Sequence, residues 1–340
     1  MAFVSVAAAL VLAALQGCTQ VASRADEPLS AQSASVRHRF TGSAMGAAVE
    51  VVVDETFDAD GRERARVGAR AALIELERLD FVLSDWKASS ELSAFNRSIS
   101  ARTPASADLR AVLARALEVS EATNGLYDPT IAPLARLWRE SRATGALPDA
   151  ATLAAARAMV GSRALSIEEG DVVRAESPRE LDFGGIGKGY GAVRAVEAAR
   201  KAGAPRVLVS VAGDIAAGDA PRDGKAWSVE IAAEAPALGA ERVTLENGAI
   251  STSGGSMQWV EVDGARYAHI VDPRTGLGAR KLAQVTVVGP LDCSVDALGT
   301  ALALTADDEE AARILARFPN HRARIERDGS AVWIGSSAAP

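Results

Sequence analysis

Four glycines within six residues, with a helix directly behind them, constrain this 340-residue chain more than any other feature it has. They stand in Leu181-Asp-Phe-Gly-Gly-Ile-Gly-Lys-Gly-Tyr-Gly191. There Gly184, Gly185, Gly187 and Gly189 let the backbone bend tightly and approach a bulky ligand without interference from a Cβ. Asp182 leads in, Lys188 sits among the glycines, and residues 192–201 read as a helix that stops at Gly203. A glycine turn feeding a helix N-terminus presents free N–H groups and the positive end of the helix dipole, which together suit a phosphate. Two familiar glycine motifs do not fit. A P-loop needs Gly where Asp182 stands and Ser or Thr where Gly189 stands, and Gly187-Lys-Gly189-Tyr-Gly191 lacks the G-x-G-x-x-G spacing of a dinucleotide fingerprint. The stretch is either a ligand loop of another kind or a turn whose glycines serve close helix packing.

The N-terminus is read apart from the fold. Residues 2–15 form an almost unbroken apolar run, the length of a signal h-region and short for a membrane span. The run ends in Leu15-Gln-Gly-Cys18, which resembles the lipobox of bacterial lipoproteins, where the cysteine is lipidated. We therefore expect a signal peptide over residues 1–17, a flexible tether over 18–38 and one catalytic domain over 39–340. Cys18 would be an anchor that holds the chain to a membrane surface outside the cytoplasm, with Cys293 a lone buried thiol. A net charge of −7 and the lack of any long basic run argue against nucleic acid as a partner.

Along the chain, Gly42-Ser-Ala-Met-Gly46 reads as a flexible turn before a strand at residues 49–53. Ala65, Ala69, Ala72, Leu76, Leu79 and Leu83 recur at steps of four and three, the stripe of an amphipathic helix over 62–83. Trp86, in a polar loop, either caps the core or stacks on something planar. Ser106 is placed to cap a second helix that ends at Asn124-Gly125, after which Pro129 and Pro133 predict an extended, rigid passage displaying Tyr127 and Asp128. A polar connection with a short helix fills 140–160, and a hairpin then leads to Asp182. The C-terminal third is rich in strands, among them 227–232, 249–252, 258–262, 267–271 and 284–288. Such a mixture of helices and antiparallel strands is α+β.

Two late segments carry chemistry. Tyr267-Ala-His-Ile-Val-Asp-Pro-Arg-Thr-Gly276 puts one of three histidines, His269, in a strand that ends in an Asp-Pro turn. Asp292-Cys-Ser-Val-Asp296-Ala-Leu-Gly-Thr300 begins a helix that Ser294 can cap, with Asp296 and Thr300 four apart on one face. A carboxylate and a hydroxyl so placed are half of a hard-cation site, which Mg²⁺ typically completes with carbonyls, water and substrate phosphate.

In register, these segments resemble the ApbE family of FAD:protein FMN transferases, described as periplasmic flavin-trafficking lipoproteins. The landmarks are Ala44-Met-Gly46, Leu83-Ser-Asp-Trp86, Gly125-Leu-Tyr-Asp-Pro-Thr130, the glycine stretch, Ala249-Ile-Ser-Thr-Ser-Gly254, His269-Ile-Val-Asp-Pro-Arg-Thr-Gly276 and Asp296-Ala-Leu-Gly-Thr300. The sequence differs in having Gly187 where the family has Ala, and Ser210-Val-Ala-Gly-Asp214 only loosely matches the family's Asn-x-Gly-Gly-Asp. The resemblance implies an ApbE-like mixed fold of antiparallel sheets and flanking helices. It implies FAD, as substrate, in contact with Met45, Trp86, Leu126, Tyr127, Asp128, Asp182, Lys188 and Ile270, and Mg²⁺ on the Gly185 carbonyl, Asp296 and Thr300. The implied reaction passes FMN to a Ser or Thr hydroxyl of an acceptor flavoprotein subunit and releases AMP, with His269, or alternatively Asp296, taking the hydroxyl proton. Water as acceptor would give a Mg²⁺-dependent FAD pyrophosphatase, and no turnover at all would leave a flavin-binding lipoprotein.

Overall fold

Val51 and Val53 face one side of a strand and Val52 the other, yet all three are buried, so the sheet they belong to must be covered on both faces. The computed structural model describes residues 35–176, 178–254 and 259–336. Its main sheet has eight strands: β1 (Ser35–Ala44), β2 (Ala47–Thr56), β3 (Val207–Val211), β4 (Asp214–Ala217), β5 (Gly248–Ser253), β6 (Gln284–Pro290), β7 (Arg322–Arg327) and β8 (Ser330–Gly335). Their order across the sheet is their order in the chain. Every neighbouring pair is antiparallel. Six helices, α1 (Ala59–Leu83), α2 (Glu91–Arg97), α3 (Ala107–Ala122), α4 (Ala132–Thr144), α5 (Ala150–Ala158) and α6 (Gly187–Lys201), are inserted between β2 and β3. Two more, α7 (Ser294–Ala303) and α8 (Asp308–Leu315), lie between β6 and β7. The described residues are α+β, with the antiparallel sheets and flanking helices expected.

Helix α1 carries the predicted stripe, and its Ala65, Ala69, Ala72 and Leu76 pack with Ala192, Val196 and Ala199 of α6 onto Val51, Val53, Val207 and Val209 of the sheet. Small residues on both helices let their backbones approach closely, and a methyl added at Gly68 would lie 2.3 Å from Ala204 Cβ. On the same face farther along the sheet, Leu298 and Leu302 of α7 join Leu109 and Leu113 of α3 over Val285 and Val287. Burying each such leucine is worth about 1.5–3 kcal/mol. The opposite face, with Val52, Ile250 and Val288, is covered by Trp227 and Leu245, which belong to a hairpin of Trp227–Ile231 with Glu241–Leu245. Two faces of α6 and α7 are thus fixed on one sheet, and their N-termini are held where the site forms.

Four expectations change. Residues 35–38, expected in the tether, are the start of β1, with Ser35 paired to Thr56. The turn expected over 42–46 shrinks to Met45 and Gly46, both with positive φ (54° and 69°), a two-residue hairpin loop of fixed geometry. Pro133 does not extend the chain: it occupies the first turn of α4, where its missing N–H costs nothing, and Trp138 is buried within that helix. The strand expected over 267–271 is broken, since one strand ends at Ala268 and the next begins at Val271. By contrast Ser106 caps α3 as expected, accepting from Leu109 N–H at 3.2 Å, and Asn124 and Gly125 end it in left-handed conformations. The signal peptide, Cys18 and the tether up to residue 34 lie outside the described residues. No helix among the described residues is long and apolar enough to cross a membrane.

Candidate active site

The helix expected to begin after the glycines begins among them. Phe183 C=O accepts from Ile186 and Gly187 N–H, and α6 runs from Gly187, so Gly187, Gly189 and Gly191 are helical. Only Gly184 and Gly185 form the turn, which Asp182 Oδ1 tightens by accepting from Gly184 N–H at 2.7 Å. Why glycine then recurs inside a helix, where it costs about 0.5–1 kcal/mol against alanine, is answered by what surrounds it. A methyl at Gly189 would lie 2.8 Å from Asp296 Cβ, and one at Gly191 would lie 2.6 Å from Met45 Sδ. Close packing of α6 against α7 and the β1–β2 loop explains those glycines. One N–H that a phosphate was expected to meet is also taken, because Gly189 N–H donates to Asp296 Oδ2 at 3.1 Å.

Asp296 arrives from the first turn of α7. Ser294 does not cap that helix: Asp292 Oδ1 accepts from Ser294 N–H, and Ser294 Oγ pairs with His321 Nε2 at 2.8 Å. The carboxylate of Asp296 is buried beside the ammonium of Lys188, whose Nζ stands 2.9 Å from Asp214 Oδ2. Two carboxylates therefore share one cation. Burial, and then the charge of Asp214, raise the Asp296 pKa to about 7 against the opposing pull of Lys188 and the Gly189 N–H. Lys188 is shifted up in turn, by Asp296 first and by Asp214, in spite of its own burial. Asp214 also accepts from Ser251 Oγ, so its position is fixed from two sides.

These groups open onto a cleft of about 670 Å³. Eleven of the residues singled out in the sequence line it: Trp86, Leu126, Tyr127, Asp128, Asp182, Gly185, Lys188, His269, Ile270, Asp296 and Thr300. Met45 does not line it. Its side chain packs over the glycine side of α6, with Sδ and Cε against Gly191 and Cε 3.9 Å from where a Gly187 methyl would be. The carboxylate of Asp128 is turned to structure, accepting from Thr130 N–H at 2.8 Å and from Ser162 N–H at 3.1 Å. Trp86 is not a core cap: it is 77% exposed, with the Arg139 guanidinium 4.8 Å from its ring centroid. His269 sits in the break between two short strands, and burial, with Arg142 and Lys188, holds its pKa below the ordinary histidine value.

The cleft also holds groups that no sequence pattern singled out as site residues: Asp85, Arg139, Arg142, Asp214 and Ser251. Asp214 had a signal, since it closes the turn of Ala212 and Gly213, both at positive φ, that loosely matches the family motif. Arg139 and Arg142 had none, being surface-like charges on a helix whose start the prolines disguised.

The residues present fit both a divalent cation and a bulky phosphorylated ligand. Asp296 and Thr300 offer hard oxygen donors one helical turn apart, and a methyl at Gly185 would lie 2.9 Å from Thr300 Oγ1, so the Gly185 backbone abuts them. The site carries an excess buried negative charge over Lys188, which a divalent cation would offset. No group of three or more Asp, Glu, His or Cys side chains gathers to hold a metal among the described residues. That suits an ion which draws the rest of its shell from carbonyls, water and ligand. Tyr127 Oη and His269 Nδ1 are buried in the cleft wall without hydrogen-bond partners, the state of groups that await a polar ligand.

A single cleft that joins a lysine near a helix start, two carboxylates and an exposed indole places the chain in the class of α+β proteins built to hold a large phosphorylated, ring-bearing ligand. More particularly, the chain belongs to the ApbE family, whose sequence model matches residues 45–325. It is 32% identical over 302 residues to the FAD:protein FMN transferase of Klebsiella pneumoniae, an alignment covering 85% of each chain. To the FAD:protein FMN transferase of Haemophilus influenzae it is 31% identical over 248 residues, 69% of this chain and 71% of that one. The apo form of the flavinyl transferase ApbE of Pseudomonas stutzeri superposes with a TM-score of 0.75 at 28% identity, covering 88% of this chain and 94% of that one.

Proposed function

We propose that the protein transfers the FMN portion of FAD to a serine or threonine hydroxyl of an acceptor flavoprotein and releases AMP. The observation that carries this reading is the convergence of Lys188, Asp214, Asp296, Thr300, Tyr127 and His269 on one cleft, in a chain whose relatives bear that activity in their names. In the step itself the acceptor oxygen bonds to the FMN phosphorus and the bridging P–O bond breaks. The bonding pair leaves on AMP, and the hydroxyl proton passes to a base. Such a step asks the protein chiefly for positioning and charge neutralisation.

Each residue then has a task. Trp86, exposed apart from its contact with Arg139, offers area for stacking a planar ring. Lys188 is fixed by its ion pair with Asp214 and neutralises pyrophosphate oxygens. Tyr127 Oη donates to the ligand, since burial and the nearby carboxylates keep the phenol protonated. His269 takes the proton: its lowered pKa leaves it neutral at pH 7, and Nδ1 has no other partner. Asp296, Thr300 and the Gly185 carbonyl are the groups that would hold Mg²⁺, and the ion, when bound, would offset charge on the phosphoryl oxygens. The apolar run before Cys18 supports an extracytoplasmic, lipid-anchored placement on a bacterial membrane, most simply at its periplasmic face.

The test is incubation with FAD, Mg²⁺ and a candidate acceptor protein. A fluorescent flavinylated band together with AMP is the expected result. AMP without the band would make the protein a pyrophosphatase, and bound FAD with neither product would make it a carrier.

A further inference from the structure

Behind the catalytic cleft lies a second cavity, of about 650 Å³, that the reaction above does not use. One stretch of chain forms the wall between them. His269, Ile270, Val271 and Pro273 line the cleft, whereas Tyr267, Asp272, Arg274 and Thr275 line the second cavity. Trp138 stiffens this wall. Its indole N–H donates to Ala268 C=O at 3.0 Å, and its ring meets Tyr267 edge-on, the centroids 5.3 Å apart. A methyl at Gly278, which lines the second cavity, would lie 2.3 Å from the ring of Trp138, which lines the cleft, so the two linings touch at this point.

The second cavity is lined by apolar side chains and by an excess of cations, Arg274, Arg280, Lys281 and Arg327 against the carboxylates Asp272 and Asp328. Trp259, Leu277, Leu282 and Leu304 are among the apolar ones. Of the cations, Arg274 is paired with Asp272 and Arg327 with Asp308. Arg280 and Lys281 are exposed and make no ion pair among the described residues, although the chain as a whole carries a net charge of −7. The Arg280 guanidinium rests 5.9 Å from the Tyr267 ring, with its charge uncommitted. Unspent adjacent cations beside apolar side chains, one wall away from where a hydroxyl must be delivered, are complementary to an acidic segment with an apolar anchor.

We propose that this cavity docks an acidic segment of the acceptor protein beside its target hydroxyl, with Arg280 and Lys281 pairing carboxylates and Leu277 and Leu282 receiving an apolar side chain. Naming the acceptor as the partner rests on the transferase reading, while the charge preference of the cavity does not. Docking at one cavity and reaction in the next lets affinity for the acceptor be set apart from affinity for FAD.

The experiment measures binding first, with the full chain and a fluorescently labelled peptide bearing one threonine, one leucine and flanking glutamates, read by anisotropy. Its counterpart has glutamine for every glutamate. The glutamate peptide should bind about tenfold more tightly, a preference that fades with salt and disappears in Arg280→Glu/Lys281→Glu. Arg280→Lys/Lys281→Arg should keep it, and FAD affinity should be the same in all three proteins. Equal binding of both peptides to the unaltered chain, or a preference that survives the charge reversal, overturns the proposal. If the charge preference is found and yet FMN is transferred to no protein hydroxyl, it is the transferase reading that fails and the acidic-segment site that stands.

Discussion

Gly189→Ala separates the geometry of the site from the stability of the fold. Its added methyl would lie 2.8 Å from Asp296 Cβ. Carbon atoms rest at about 3.5 Å or more, so α6 and α7 must part locally by roughly 0.7 Å. Overpacking of this kind costs about 1–3 kcal/mol, while alanine in place of a helical glycine returns about 0.5–1 kcal/mol. The net loss of stability is therefore small, about 0–2.5 kcal/mol by these figures. The loss of rate is not small, because a displacement near 1 Å at a reacting centre costs about 100-fold in kcat. Gly187→Ala is the control: its methyl meets Phe183 Cβ at 3.6 Å and Met45 Cε at 3.9 Å, both ordinary contacts. It should leave kcat unchanged and raise stability by about 0.5–1 kcal/mol. The assay pairs urea unfolding with the rate of FMN transfer at saturating FAD. Equal rates in the two variants, or a loss of rate in Gly189→Ala that merely tracks its unfolding, would mean that the α6–α7 contact does not set the geometry of the site.

Three further outcomes are expected. His321 is buried against Ser294 and its pKa is held down to about 4, by burial first, so the folded state takes up the proton later than the unfolded chain. Stability is then fully present above about pH 6.5 and falls by about 3 kcal/mol as the pH drops to about 4, a slope that urea titrations should find flattened in His321→Asn. Lys188→Ala should weaken FAD more than riboflavin in calorimetric titration, since only FAD carries a pyrophosphate; equal losses would mean that Lys188 serves the fold through Asp214 alone. Labelling with a radioactive fatty acid should mark the unaltered protein and not Cys18→Ser, and label retained in that variant would place the lipid elsewhere.

What could be read without coordinates was local. The stripe of α1 and the cap at Ser106 repeat within one or two turns, so the residues that decide them are neighbours in sequence. Asp296 and Thr300 were legible for the same reason, being one helical turn apart. Gly189 and Gly191 misled because their missing side chains answer to Asp296 and Met45, which only the folded chain brings near. Asp214 pairs with Lys188 across a strand and a helix, and the charge of Arg142 on α4 acts on His269, proximities that no spacing records. Pro133 was ambiguous in principle, since proline suits an extended passage and a first helical turn alike.

If the transfer centre is built on Asp296, it should fail in Asp296→Asn. The amide keeps the shape and can still accept from Gly189 N–H, so the fold and FAD binding should persist. What should be lost is the charge that Mg²⁺ requires. Flavinylation of the acceptor and release of AMP are followed in both proteins as Mg²⁺ is titrated. Unchanged FAD affinity with Mg²⁺-dependent turnover abolished is the expected result; full Mg²⁺-dependent activity in Asp296→Asn would move the catalytic centre away from α7.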